Sequence, residues 1–333
     1  MGSGPRPLLE IFAIMSFMEK ELSSFKNLCS TQSDVQGGVF ALGNFDGVHR
    51  GHQAVIQATL TQAQKHNALA YVLTLEPHPR QILTSKLSPF RLTPAPHKIG
   101  LLKSLGVHEV ITLTFSPELR RVSAEDFVSR LLVEKYRARH VVAGYDFVFG
   151  YQRRGNLKLL QTLLSPHGIG ITGVPPQYDE KGEIISSSRA RTALQEGDPI
   201  LAKQILGRPW SIRGVVTQGN KRGKILGFPT ANIELDDYLR PLFGVYAVLA
   251  GPIGSTSHLP GVANVGTRPT VGGGRERLEL HMFDDHGDLY GQEWEVELHH
   301  FIRAEQAFPD IKALQEQIAK DIERAKELLA LGR

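Results

Sequence analysis

The chain has 333 residues, 41% of them apolar and 22% charged, and a formal charge of +4. Such a length exceeds the usual single domain, so two modules are expected, each with its own core. No uninterrupted apolar run is long enough to cross a bilayer, which excludes a membrane span.

The single cysteine, Cys29, has no partner for an intramolecular disulfide and no Cys or His cluster for a structural zinc site, so a reducing compartment is expected. The basic excess is small and spread along the chain; it reads as phosphate handling, with nucleic acid a weak second. Residues 1–36 read as an extension. Its short apolar stretch, Leu8 to Phe17, is preceded only by Arg6 and followed by no small-residue cleavage pattern, so no signal peptide is expected, and Met18 is an alternative start.

From Gly38 to about Gly207, apolar β-rich runs alternate with amphipathic stretches, the pattern of a parallel sheet wrapped by helices. The predicted strands are Val39–Leu42, Ala70–Leu75, Glu109–Thr114, His140–Ala143 and Gly170–Val174. The predicted helices are Gln53–His66, His97–Leu105, Ala124–Tyr136, Leu157–Leu164, Ser188–Glu196 and Pro199–Leu206. This is a doubly wound α/β unit, Rossmann-like, whose ligands bind beyond the carboxyl ends of the strands.

After Arg208 the period changes to two, with short strands at Ser211–Thr217, Val245–Leu249, Gly261–Val265, Leu278–Phe283 and Trp294–Phe301, separated by Gly, Pro and Asp turns. A small antiparallel β-barrel is expected here. Ile311, Leu314, Ile318 and Ile322 follow at helical spacing, so a helix over Asp310 to Leu329 should lie against the barrel. The expected organisation is an extension over 1–36, a first module over 37–207 and a barrel module over 208–333.

The segment Gly43-Asn44-Phe45-Asp46-Gly47-Val48-His49-Arg50-Gly51-His52 carries the strongest chemical signal of the first half. His49 and His52, three apart at a helix start, face the same way beside free backbone N–H groups, a setting that binds phosphate. Gly51 leaves room for a nucleotide against the backbone. Nucleotidyl transfer needs positioning and charge stabilisation, which two imidazoles, helix N–H groups and Mg²⁺ supply without a protein nucleophile. Read alone, the two histidines also fit surface residues of a glycine-rich turn.

These ten residues resemble the first motif of the bacterial bifunctional riboflavin kinase/FAD synthetase family. Glu76-Pro77-His78-Pro79, Gly144-Tyr145-Asp146-Phe147-Val148-Phe149-Gly150 and Ser186-Ser187-Ser188-Arg189-Ala190-Arg191 resemble its next three motifs in order. The resemblance implies ATP contacts from Gly43, Asn44, Phe45, Asp46 and Gly51. It implies Asp146 near the adenine and ribose, with Ser187, Ser188 and Arg189 on the phosphates. An N-cap role for Ser187 or Ser188 and a turn role for Asp146 are the structural alternatives. Ser188 stands where the family usually has Thr, Ala190 where it has Ile, and Val148 where it often has Arg.

In the barrel, residues 214–232 form a glycine-punctuated segment. Gly219, Gly223 and Gly227 allow a backbone that wraps anionic oxygens, and Lys221, Arg222 and Lys224 add charge. Gly223-Lys224 is followed by Ile225 in place of Ser or Thr, so it is not a Walker A loop. Thr230 and Asn232, on alternate residues of Pro229-Thr230-Ala231-Asn232, offer two neutral oxygens on one side, suited to Mg²⁺ on nucleotide phosphates; alone the tetrapeptide also reads as a turn.

This segment resembles the riboflavin kinase signature, as do Asn264–Thr270, Leu278–Asp284 and Asp288–Gly291. Glu279 lies in an apolar strand pattern, either as an outward residue of an edge strand or, as the resemblance implies, as the general base for the ribityl 5′-hydroxyl. Arg303, before Glu305-Gln306-Ala307-Phe308-Pro309, fits a flavin or phosphate contact and equally a structural ion pair; Tyr246 reads as core.

The resemblance covers residues 37 to 333 and implies a cytoplasmic, Mg²⁺-dependent enzyme that phosphorylates riboflavin to FMN and transfers AMP from ATP to FMN, giving FAD and pyrophosphate. Its partners are then riboflavin, FMN, FAD and ATP, with no nucleic acid or membrane; a homo-oligomer is compatible. Two rival readings fit these residues less well. A nucleotidyltransferase for another phosphorylated cofactor precursor leaves the Pro-Thr-Ala-Asn segment and Glu279 unexplained. A nucleic-acid-binding barrel predicts aromatic and basic residues interleaved on its strands, which are poor in aromatics here.

Overall fold

The computed structural model describes residues 35–84, 88–218, 228–267, 276–284 and 289–331. Residues 1–34 of the extension, with Met18 and Cys29, the loop residues Gly219, Lys221, Arg222, Gly223, Lys224 and Gly227, and Arg268, Thr270 and Asp288 lie outside the described residues. The chain divides into two compact units with interleaved segments. Among the described residues one takes 35–45, 52–84 and 99–176, and the other takes 46–51, 88–98 and everything from 177 onward.

The first unit holds a parallel sheet of β1 (Val39–Leu42), β2 (Ala70–Glu76), β3 (Glu109–Thr114), β4 (His140–Gly144) and β5 (Gly170–Val174), in the order β3-β2-β1-β4-β5. Strand order reverses between β1 and β4, which pair directly with Leu42 beside Ala143. All four residues of β1 are buried, as expected for a central strand covered on both faces.

Helices α1 (Arg50–Lys65), α2 (Pro79–Leu83), α3 (Ala95–Ser104), α4 (Ala124–Asp126) and α5 (Leu157–Leu164) fill the connections. α1 buries Val55, Ile56, Thr59 and Ala63, one stripe of a 3.6-residue period. The helix expected over Ala124–Tyr136 is α-helical only to Asp126 and continues as a π-helix over Phe127–Lys135. Its wider turn places Phe127, Val128, Leu131 and Leu132 together in the core.

The second unit holds α6 (Ser187–Gln195), α7 (Pro199–Leu206), seven antiparallel strands and α8 (Ile311–Leu331). α7 starts on the N-cap Asp198 with Pro199 behind it and ends at Gly207, whose φ of 76° only glycine adopts freely. The strands are β6 (Trp210–Val215), β7 (Thr217–Gln218), β8 (Ala231–Glu234), β9 (Gly244–Pro252), β10 (Leu259–Thr267), β11 (Glu276–Met282) and β12 (Glu293–Ala304).

Their order is β6-β12-β9-β10-β11-β8-β7. Because only Val216 separates β6 from β7, the two ends of this order are one bent strand, and the sheet curls into the expected barrel. Its core packs Trp210, Ile212, Ile233, Tyr246, Val248, Leu278, Leu280, Val296 and Leu298 with Ala190, Leu194 and Leu206 of α6 and α7. α8 sets Ala325 and Leu329 against Val245, Ala247 and Val262 on the opposite sheet face.

Candidate active sites

The Gly43–His52 segment leaves β1 at the switch point and runs into α1. It is backbone-strained: Phe45, Gly47 and Val48 have φ of 54°, 86° and 43°. Left-handed backbone at a β-branched valine persists only where surroundings enforce it, and such strain gathers at functional sites. Within the first unit, Thr74 donates its hydroxyl to the Asn44 carbonyl, and the ring of His52 meets the buried Phe45 ring edge-on. Asp146 is exposed beyond the carboxyl end of β4, in a turn where Phe147 N–H donates to Gly144 C=O.

In the second unit, Asp46 is 2% exposed. Its carboxylate accepts from the N–H groups of Leu92 and Thr93, pairs with Arg191 Nη2 at 2.6 Å and has Arg91 at 3.7 Å. Burial raises its pKa, but the two guanidiniums and the backbone donors outweigh burial and hold it below the usual value. A carboxylate so placed braces the loop from behind.

His49 is buried, and burial, helped by Arg191 and Arg208 against Asp46, lowers its pKa to about 4, so it is a neutral imidazole at physiological pH. A methyl group on Gly51 would approach the His49 ring at 3.0 Å.

The N-cap of α6 is Ser186, which accepts from Arg189 N–H; Ser187 and Ser188 therefore occupy the first helical turn, and the alternative N-cap role falls to neither. Ser187 donates its hydroxyl to the Asp46 carbonyl at 2.8 Å. Arg189 pairs with Asp179 and reaches the carbonyls of Glu183 and Ile184, so its guanidinium is engaged by a neighbouring hairpin.

On the barrel, alternation sends Leu278 and Leu280 into the core and Glu279 to the opposite face. β11 lies between β10 and β8, so the edge-strand reading of Glu279 is corrected: it stands on an interior strand. Strand register places Asn264 on one side of Glu279 and Asn232 on the other, with Thr217 beyond Asn232. A small pocket of about 50 Å³ is lined by Asn264, Gly266, Thr267, Arg277 and Glu279.

Asn232 is 2% exposed, and its Oδ1 has no hydrogen-bond partner among the described residues. A buried oxygen without a donor fits a cation ligand. Thr230 precedes β8 in a segment anchored by His281 Nδ1 at 2.9 Å from the Pro229 carbonyl oxygen.

Arg303 forms bidentate contacts to Asp321 of α8 at 2.8 to 3.0 Å and lies over the Phe308 ring. The structural ion pair weighed from sequence is thus present. Tyr246 is fully buried and donates to the Leu242 carbonyl. Arg277, in the pocket, and Asp179, an anchor, have no part in the sequence reading, and Thr267 and Arg191 enter it only as members of motifs. The period-two alternation that singled out Glu279 also puts Arg277 on its face.

A switch-point loop with an H-x-G-H run, in series with a barrel carrying a carboxylate between two asparagines, defines a two-module transferase acting on phosphate esters. Residues 31–189 match the family described as FAD synthetase, and residues 206–329 match riboflavin kinase. Curated relatives named bifunctional riboflavin kinase/FMN adenylyltransferase include that of Escherichia coli K12, 40% identical over 90% of this chain and 96% of its own. Another is that of Bacillus subtilis, 38% identical over 86% and 91%.

A solved structure from Streptococcus pneumoniae, described as a macrolide-efflux protein, aligns with a TM-score of 0.78 and 31% identity over 90% of this chain and 95% of that one. No helix among the described residues here is long and apolar enough to cross a membrane. The chain belongs to the bifunctional riboflavin kinase/FMN adenylyltransferase family, its adenylyltransferase segment first and its ATP-using kinase segment second.

Proposed function

We propose that residues 208–333 phosphorylate riboflavin at the face of the barrel and that residues 37–207 carry the loop that joins the product to AMP, in the cytoplasm and with Mg²⁺. The carrying observation is the row Asn264, Glu279, Asn232 across β10, β11 and β8. Glu279 takes the proton of the ribityl 5′-hydroxyl as that oxygen bonds to the γ-phosphorus of ATP and ADP leaves. Asn232 Oδ1 and the Thr230 hydroxyl would hold Mg²⁺, and the resemblance assigns Gly219, Lys221, Gly223, Lys224 and Gly227 to the ATP phosphates. When bound, Mg²⁺ neutralises charge on the transferring phosphoryl group.

In the second reaction a phosphate oxygen of FMN attacks the α-phosphorus of ATP, and pyrophosphate departs. Neutral His49 donates a hydrogen bond to the charge that develops, with His52, Gly51 and the first-turn N–H groups of α1 around the phosphates. The resemblance assigns Asp146 to the ribose and adenine region and Ser187, Ser188 and Arg189 to the phosphates. Arg303 supports the flavin site through α8, since its guanidinium is already engaged by Asp321.

A chromatographic time course with riboflavin, ATP and Mg²⁺, repeated from FMN, tests the reading. FMN followed by FAD is expected. FAD from FMN but no product from riboflavin would overturn the kinase assignment.

A further inference from the structure

We infer that Arg208 is a positioning residue for adenylyl transfer, holding the His49 loop through the carbonyl groups of Gly47 and Val48. The inference rests on the role proposed above for that loop. Arg208 follows the glycine that ends α7 and lies two residues before the start of β6, inside the segment that matches riboflavin kinase. Gly47, Val48 and His49 lie inside the segment that matches FAD synthetase. A residue supplied by one family segment thus braces the loop of the other.

Arg208 Nη2 donates to Gly47 C=O at 3.0 Å, and Nη1 lies 3.4 Å from Val48 C=O and 3.5 Å from Leu206 C=O. From the other side Gly47 N–H donates to Thr93 Oγ1 at 2.8 Å. The peptide units around two residues with positive φ are therefore fixed from both directions, immediately before His49. A planar guanidinium can grip two successive carbonyls at once, a geometry an ammonium point charge does not reproduce.

The chain that carries Arg208 is itself anchored. Trp210, two residues on, is fully buried and donates Nε1–H to Leu92 C=O at 2.9 Å, tying β6 to the strand of chain that carries Thr93. Burial lowers the pKa of Arg208 to about 10, with Glu295 opposing that shift, so the group stays cationic at neutral pH. Its charge also helps to keep His49 neutral. Backbone placement and imidazole protonation state thus converge on one side chain that contacts neither nucleotide nor flavin in this reading.

The test uses full-length Arg208→Ala and Arg208→Lys, with both reactions assayed on each preparation. Displacing a catalytic loop by about 1 Å costs on the order of 100-fold in rate, so Arg208→Ala should lose about that much kcat in FMN-to-FAD conversion. Its KM for FMN and its riboflavin phosphorylation should stay near wild type. Arg208→Lys should be intermediate, and added guanidinium ion should restore part of the activity of Arg208→Ala without accelerating wild type.

Wild-type FAD formation by Arg208→Ala, or equal loss of both reactions, would overturn the inference. If Arg208→Ala does not fold, Arg208→Lys decides: undiminished FAD formation overturns it, and a selective fall in kcat supports it. The joint His49→Ala/His52→Ala variant separates the two levels. Should it still make FAD, the role of the loop fails; should it be inactive while the Arg208 variants are unimpaired, only the present inference fails.

Discussion

Asn232 of β8 and Glu279 of β11 are register partners, a buried amide oxygen and a half-buried carboxylate side by side on the face that turns away from the barrel core. Leu278 and Leu280 fix this placement, because a one-residue slip of β11 would bury the carboxylate and expose both leucines. Replacing Glu279 by Gln keeps shape and removes the base. FMN formation should fall by about 100-fold or more, while FMN-to-FAD conversion stays near wild type, as read by separate assays on one preparation.

Asn232→Ala removes the buried oxygen without adding charge. The Mg²⁺ concentration needed for half-maximal riboflavin phosphorylation should rise by about 10-fold, while the Mg²⁺ dependence of FAD formation from FMN stays unchanged. A Mg²⁺ titration of both reactions checks this.

Gly51→Ala adds a methyl that meets the His49 ring at 3.0 to 3.1 Å in a buried setting where the ring has little room to yield. Alanine in a helix is otherwise favoured over glycine by about 1 kcal/mol. The expected result is FAD formation reduced by about 10-fold or more, with a melting temperature that does not fall in proportion and kinase activity retained.

Acid should weaken the fold through His49 and His97. Burial lowers both pKa values, that of His49 to about 4. Between about pH 6.5 and 4 the unfolded chain binds protons that the folded chain refuses, so stability is full above that window and is lost as pH falls through it. His49 alone accounts for about 2 kcal/mol between pH 6.5 and 5. Denaturant melts of wild type and His49→Gln across this range should converge toward acid pH.

Arg303→Met leaves Asp321, 3% exposed, without its bidentate partner and should destabilise the fold by about 3 kcal/mol. The double variant Arg303→Met/Asp321→Leu should recover most of that loss in equilibrium unfolding. Unchanged stability in the single variant would assign Arg303 to ligand binding alone.

Much of this architecture is legible in the chain. β1, β3, β5, α5 and α7 fall within the residue bounds that periodicity predicts, because short apolar runs there are closed by Gly, Pro or capping residues. β8 is legible only as an extended Pro-Thr-Ala-Asn segment, since a short run that follows a proline also reads as a turn. The π-helical turn of Phe127–Lys135 leaves no mark on a sequence whose apolar spacing also suits an α-helix.

The loop chemistry was visible as H-x-G-H, but its bracing was not. Asp46 and Arg191 are 145 positions apart, and Gly47 and Arg208 are 161 apart; pairs so distant carry no local signature. The engagement of Arg189 by Asp179 escaped notice because a hairpin brings them together across ten residues.

The bend at Val216 has a further consequence. A strand at the margin of a sheet offers its unpaired N–H and C=O groups to any passing chain, and that invitation is how many β proteins aggregate. Here the chain that borders β12 as β6 turns at Val216 and borders β8 as β7, so the curled sheet begins and ends on itself. Among the described residues, β3 and β5 are the two margins of the parallel sheet. Of these, β5 carries two glycines in five residues and no charge, so it lacks the charged side chains by which edge strands are commonly protected.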